Sequence, residues 1–156
     1  MVKFKDEGTT KFIGFSVMLE EDLPVAKAII ENFDVDVVLG IINPVGRFGN
    51  GADLLPIVNE KNIGFLAMKT LRNMVSQENT AKELIAYALD KKGVAGAVIG
   101  HHGLQNLEEN IQIVNEYTKV TSLRKDWGAL EKRMEQFADT HTPVWTLPGY
   151  HDGMMV

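Results

Sequence analysis

The sequence predicts a parallel α/β fold assembled from four strand–helix units. Two observations carry that reading. Short apolar, β-branched runs begin at Lys11, Val35, Ile63 and Val94, and a helix-periodic stretch follows each of them. Strands that alternate with helices in this way pair as a parallel sheet with right-handed crossovers. The second observation is size. A chain of 156 residues with 45% apolar and 24% charged residues has the composition of a soluble globular domain, with room for one real core but not two.

Taken in order, Val2 to Glu7 read as the tail of a helix that Gly8 caps, and Lys11 to Ser16 as the first strand. A chain opening within a helix tail leads us to expect a preceding segment. Glu20, Glu21 and Asp22 put negative charge at a helix start, with Pro24 in the first turn. Leu23, Ala26, Ile29, Ile30 and Phe33 then mark the buried side of that helix. Val35 to Ile42 is a buried strand that Asn43-Pro44 stops, and Val45 to Asp53 reads as a surface loop. Leu54 to Lys61 is a short helix, Ile63 to Met68 a third buried strand, and Lys69 to Asn79 a second loop. Thr80-Ala81-Lys82-Glu83 predicts a capping box, with each end of the motif satisfying an N–H of the other. Ala81, Leu84, Ile85, Ala88 and Leu89 behind it share one helix face, and Lys91-Lys92-Gly93 close that helix.

Val94 to Ile99 reads as a fully buried fourth strand, and a helix with Leu104, Leu107, Ile111 and Val114 on one face follows the Gly100-His101-His102-Gly103 loop. A strand that feeds a loop and then a helix aims first-turn N–H groups at one spot, a geometry suited to an anion such as phosphate. Leu123, Trp127, Leu130, Met134 and Phe137 form a narrow heptad-like stripe on a further helix over 123–139. Such a stripe either packs on the domain or meets a partner. From Thr140 the tail is irregular.

Several classes of function are disfavoured. The net charge is −5 with no basic block, which argues against nucleic acid. No run is long and apolar enough to span a membrane, and the polar N-terminus lacks the core of a signal peptide, so a cytoplasmic location is expected. Without cysteine there are no disulfides, thiolate nucleophiles or cysteine-bound metals. His141, His151 and Asp152 have no spacing that fits a closed metal site, and no metal is expected. Arg47 and Arg72 fall in the loops after the second and third strands, where an anionic ligand would meet them.

Five motifs in register resemble the aldo/keto reductase family. Gly8-Thr9-Thr10-Lys11-Phe12-Ile13-Gly14-Phe15-Ser16 is similar to the family's approach to strand five, and Asp36 to Asn43 to its strand six. Leu54-Leu55-Pro56 followed by Asn62 to Leu71 resembles strand seven with its preceding helix. Thr80 to Leu89 is similar to the next helix, and Ile99 to Asn110 to the loop and helix that close the fold. The resemblance covers residues 3 to 117 and implies half of a TIM (β/α)8 barrel: a parallel (βα)4 unit over 1–118, with an extra C-terminal helix and tail over 119–156. The half that carries the family's catalytic Asp, Tyr, Lys and His is absent, so no residue here inherits a catalytic role.

The resemblance implies a partial NADP or NAD site. Ser16 stands where the family's serine holds the nicotinamide carboxamide, although Val17 replaces the usual Asn and Leu39 a glutamine. Met68 takes the place of the residue that stacks on the nicotinamide ring. Gly100, His101, His102 and Gly103 match the loop by the adenosine phosphate, with Asn106 at an arginine position and no Lys or Arg to read the phosphate. Glu109 and Asn110 match the pair that contacts the adenine. The implied activity is NAD(P)H-dependent carbonyl reduction by hydride transfer, completed by an N-terminal half from elsewhere. The alternative is a non-catalytic half-barrel acting as an association module, in the form of a homodimer or with edges covered by helix 123–139, or else a truncated relic.

Overall fold

Four short strands, β1 (Gly14–Val17), β2 (Val37–Ile41), β3 (Gly64–Met68) and β4 (Val94–Ala97), form one sheet in the order β1-β2-β3-β4. All three pairings are parallel. The structure, a computed structural model, describes residues 1–45, 51–71, 74–75, 80–119 and 126–140. Helices α1 (Val2–Asp6), α2 (Leu23–Asn32), α3 (Leu55–Glu60), α4 (Ala81–Leu89), α5 (Leu104–Lys119) and α6 (Trp127–Thr140) alternate with and follow the strands. The α/β class and parallel sheet are therefore as the sequence predicts.

The strand ladder has two faces of different character. Phe15, Val38, Phe65 and Val94 stand in one row, and Val17, Gly40, Ala67 and Ala97 in another. These rows carry the main core, where Leu23, Ala26 and Ile30 of α2, Leu55 and Val58 of α3 and Tyr87 and Ala88 of α4 pack on them. Sequential strand order without reversal keeps successive right-handed crossovers on one side of a sheet. The rows between, Ser16-Leu39-Leu66-Gly96 and Ile41-Met68, face the other way. There only Ile41, Met68, Met18 and Leu39 cluster, and no described helix joins them.

The termini of the elements follow local chemistry. Gly8, at φ +72°, ends α1 in a Schellman motif: its N–H meets the Lys5 carbonyl at 3.0 Å and that of Thr9 the Phe4 carbonyl at 2.9 Å. Asp36 anchors this segment, accepting from the Ile13 N–H at 2.9 Å and from Lys5 Nζ at 2.9 Å. The Ile13 hydrogen bond and then the lysine hold the Asp36 carboxyl below its ordinary range.

Five expectations need correction. Val94 to Ile99 is not fully buried. The strand stops at Ala97, with Ala95 and Val98 exposed, because no described strand lies beyond this edge and no described helix covers the second face. The predicted inner face of α5 is largely outside: Leu104 is 71% and Ile111 52% exposed, while Asn110 is buried. The capping box is half formed. Thr80 Oγ1 accepts from the Glu83 N–H at 3.2 Å, but both Glu83 oxygens turn to Arg133 at 2.9 Å, a charge-assisted pair that outcompetes the backbone. The loop expected over 45–53 ends in a buried turn, Gly51–Leu54, because Gly51 sits against the Phe65 ring. The strands are also shorter than predicted: β1 opens at Gly14, β2 spans only Val37–Ile41, β3 opens at Gly64 and β4 ends at Ala97.

α6 packs on the domain, so the stripe takes the first of its two readings. Asp126 caps it by accepting from the Ala129 N–H at 3.0 Å, and Leu130 and Met134 enter the main core. Leu123 lies outside the described residues. Trp127 meets Tyr87 edge-on at 5.5 Å and donates to Asp90 at 2.6 Å. Tyr87 donates to Glu131 at 2.6 Å, and Lys91 Nζ lies 4.2 Å over its ring. These contacts all lie on α4 and its end, so α6 covers the helix layer and not a sheet edge.

Burial, followed by the Glu131 carboxylate, pushes the Tyr87 phenol well above its ordinary value. A folded-state pKa above the unfolded value of about 10 gives stability that is whole below that pH and declines as pH rises through the folded value. Unfolding free energy is therefore expected to fall above pH ~10, and Tyr87→Phe to flatten that decline in alkaline urea titrations at a neutral-pH cost of about 1 kcal/mol. An unchanged alkaline slope in the variant would remove Tyr87 from this role.

Candidate functional site at the carboxyl end of the sheet

Parallel strands present all their carboxyl ends on one rim, where backbone groups and loop side chains converge. Ser16 is exposed on the uncovered face of β1, directly beside Leu39 in the ladder. Met68 closes β3 on the same face and is buried against Ile41, Leu39 and Met18. A hydroxyl and an apolar thioether bed thus share one surface.

The rim beyond them is tied across strands. The Ile42 N–H donates to the Met68 carbonyl at 3.3 Å, and the Asn43 amide reaches the Lys69 carbonyl at 3.5 Å. Asn43 Oδ1 also accepts from the Val45 N–H at 3.1 Å, an Asx turn over Pro44. Lys69 adopts φ +56°, and Thr70, 1% exposed, follows it. Its hydroxyl finds no partner among the described residues. A buried, unpaired hydroxyl costs about 1–3 kcal/mol, a cost carried here two residues past Met68. The sequence pattern marks Asn43 as a strand stop and does not mark Thr70. The Asn-Pro pair was the available signal for the turn, and nothing in sequence flags a hydroxyl that lacks a partner.

Gly100, His101, His102 and Gly103 form an exposed loop between β4 and α5. Neither glycine has an atom within 4 Å of where a Cβ would lie, so the loop is open on its outer side. The buried Asn110 amide lies 3.2 Å from His101 Nδ1. With the amide as donor, Nδ1 accepts. Asn110 braces this loop, and exposed Glu109 accepts from Gln105 at 3.0 Å. Asn106 and His102 are exposed.

The structure therefore brings Ser16 and Met68 onto one face and His101 and Asn110 into contact. Arg47, Arg72, His141, His151 and Asp152 lie outside the described residues. No group of three metal-ligating side chains occurs among the described residues, and no described helix is long and apolar enough to cross a membrane. No family model matches the chain, and no curated protein matches its sequence.

Proposed function

We propose that this chain is the second half of an aldo/keto reductase-like (β/α)8 barrel that keeps the nicotinamide end of an NAD(P)H site. The observation that carries the reading is the sequential four-stranded parallel sheet with helices on one face, at whose carboxyl rim Ser16 and Met68 share an uncovered apolar surface. These residues fit a flat amide-bearing heteroaromatic ring: apolar atoms bed its face and the Ser16 hydroxyl meets its polar rim. When bound, the nicotinamide supplies a hydride. The chain's own part is to hold and orient the ring, and to leave the opposite side open for a carbonyl substrate. In the complete reaction the carbonyl carbon gains the hydride and its oxygen a proton from an acid of the complementary half, which gives an alcohol. The phosphate end fits less well. The Gly100 to Asn110 segment holds no Lys or Arg, so we assign no preference for NADP over NAD.

Titration with NADPH and NADH, followed by tryptophan and nicotinamide fluorescence, tests this. Saturable micromolar binding is expected, with Ser16→Ala weakening it about five- to tenfold through the loss of one hydrogen bond. No binding up to millimolar cofactor by the folded chain would sink the reductase reading. The bare sheet face then favours the second reading, a non-catalytic half-barrel that works by association.

A further inference from the structure

We propose that residues 1–12 are a detachable strap at the amino rim of the sheet, locked by Lys5 onto Asp36 and opened by protonation of that carboxylate. Of these residues only Lys5 and Thr10 are even partly buried, and α1 buries none. The hydrogen bonds that shape the segment are internal to it. Phe4 and Lys5 donate to the Met1 carbonyl, Gly8 to that of Lys5, and Thr9 and Thr10 to that of Phe4. Among the described residues, every hydrogen bond and ion pair between residues 1–12 and the rest of the domain is made by Lys5.

A helix as short as α1 has no stability of its own. Nucleation is unfavourable, helices shorter than about 12 residues are marginal in water, and most take their stability from an apolar face packed on a core. Here Val2 and Phe4 are exposed, so that source is missing. What remains is the lysine. Its Nζ lies 3.0 and 2.9 Å from the two Asp36 carboxylate oxygens, with the two side chains 25% and 23% exposed. It lies 3.1 Å from Asp34, whose side chain is 93% exposed. Charge-assisted bonds in partial shelter outweigh one in open water, so Asp36 and not Asp34 holds the strap.

Asp36 also couples the strap to the sheet. Its carboxylate accepts from the Ile13 N–H at 2.9 Å, its own N–H donates to the Ile13 carbonyl at 2.9 Å, and its carbonyl accepts from the Gly64 N–H at 2.9 Å. One residue thus ties the amino ends of β1, β2 and β3. No other charged group among the described residues touches Lys5 or Asp36: Lys3 pairs with Glu7 at 3.6 Å, and Asp6 and Lys11 are exposed. The Ile13 N–H and then Lys5 lower the Asp36 carboxyl, while Asp36 and then Asp34 raise the Lys5 ammonium. The contribution of Asp36 is therefore complete above the unfolded carboxylate value of about 4 and lost as pH falls through the lower folded value. That of Lys5 is complete below the unfolded value of about 10.4 and lost as pH rises through the higher folded one. Between these limits the strap stays shut.

Nitrogen-15 relaxation on the full chain is the test. Backbone order parameters of Phe4 to Thr9 are expected at about 0.85 at pH 7 and below about 0.6 once pH falls past the Asp36 titration. Those of Val38 to Gly40 and Phe65 to Ala67 are expected to hold over the same range. At pH 7, Lys5→Met opens the strap, and Lys5→Arg keeps it shut by supplying the same charge. Because no residue of 1–12 is buried, neither change reaches the core. Asp36→Asn, which imitates the protonated acid, opens the strap at pH 7, whereas Asp34→Asn leaves it shut. Ordered Phe4 to Thr9 amides in Lys5→Met at pH 7 would overturn the proposal. So would an acid transition in which the strap loses order only together with β2 and β3. The test involves no cofactor, so its outcome is separate from that of the reductase reading.

Discussion

Phe65→Ala is expected to lower the unfolding free energy by about 3–5 kcal/mol, close to the whole margin of a small domain. The ring is fully buried in the middle of the sheet, in the row it shares with Phe15, Val38 and Val94. Two glycines shape its seat. A Cβ on Gly40 would come 2.6 Å from Phe65 Cζ, and one on Gly51 would lie 2.9 Å from the same atom and 2.9 Å from the Ile41 carbonyl oxygen. Part of the cavity left by truncation is therefore walled by strand and turn backbone, which cannot move in to fill it, so the cost belongs near the upper end of the range for aromatic truncation. Urea unfolding followed by circular dichroism reads it directly. A loss below about 1 kcal/mol would mean that the turn at Gly51 and β2 do not close over this ring.

What the sequence made legible was chiefly what is decided locally. The α4 helix could be read whole, since the Thr80 cap, the spacing of Leu84, Ile85 and Ala88, and the closing Gly93 at φ +98° all act within a few residues. The reciprocal half of its capping box was not legible, because Arg133 lies fifty residues on and wins Glu83 only after α6 docks. The same limit explains β4. An apolar run reads as buried whether or not neighbours exist to bury it, and period-two alternation says nothing of which face receives the helices. Likewise the stripe on α5 has proper helical spacing, yet Leu104 and Ile111 face outward because the sheet has no described strand past β4. At the rim, Ser16 and Met68 were found through resemblance, whereas the His101–Asn110 contact and the unpaired Thr70 hydroxyl depend on loop conformation, which no spacing rule reaches.

The second large effect is expected at Leu130. Leu130→Asp sets a carboxylate at a site 1% exposed, among the apolar atoms of the main core. A buried charge without a partner costs about 3–5 kcal/mol, more than α6 gains from its exposed contacts, so the helix is expected to leave α4 before the carboxylate is buried. Release would break the edge-on Trp127–Tyr87 contact, the Tyr87–Glu131 hydrogen bond and the Arg133–Glu83 pair together, since all three hang on one helix. In a Trp145→Phe background Trp127 reports alone, and its emission is expected to shift to the red while sheet and remaining helices persist. Glu131→Gln removes the charged partner of Tyr87 without burying a charge, and so is expected to leave the emission near that of the parent. Unchanged emission and stability in Leu130→Asp would overturn the docking of α6. Because α6 rests on the helix layer, its release should also leave both edges of the sheet as they were, and with them whatever association those edges support.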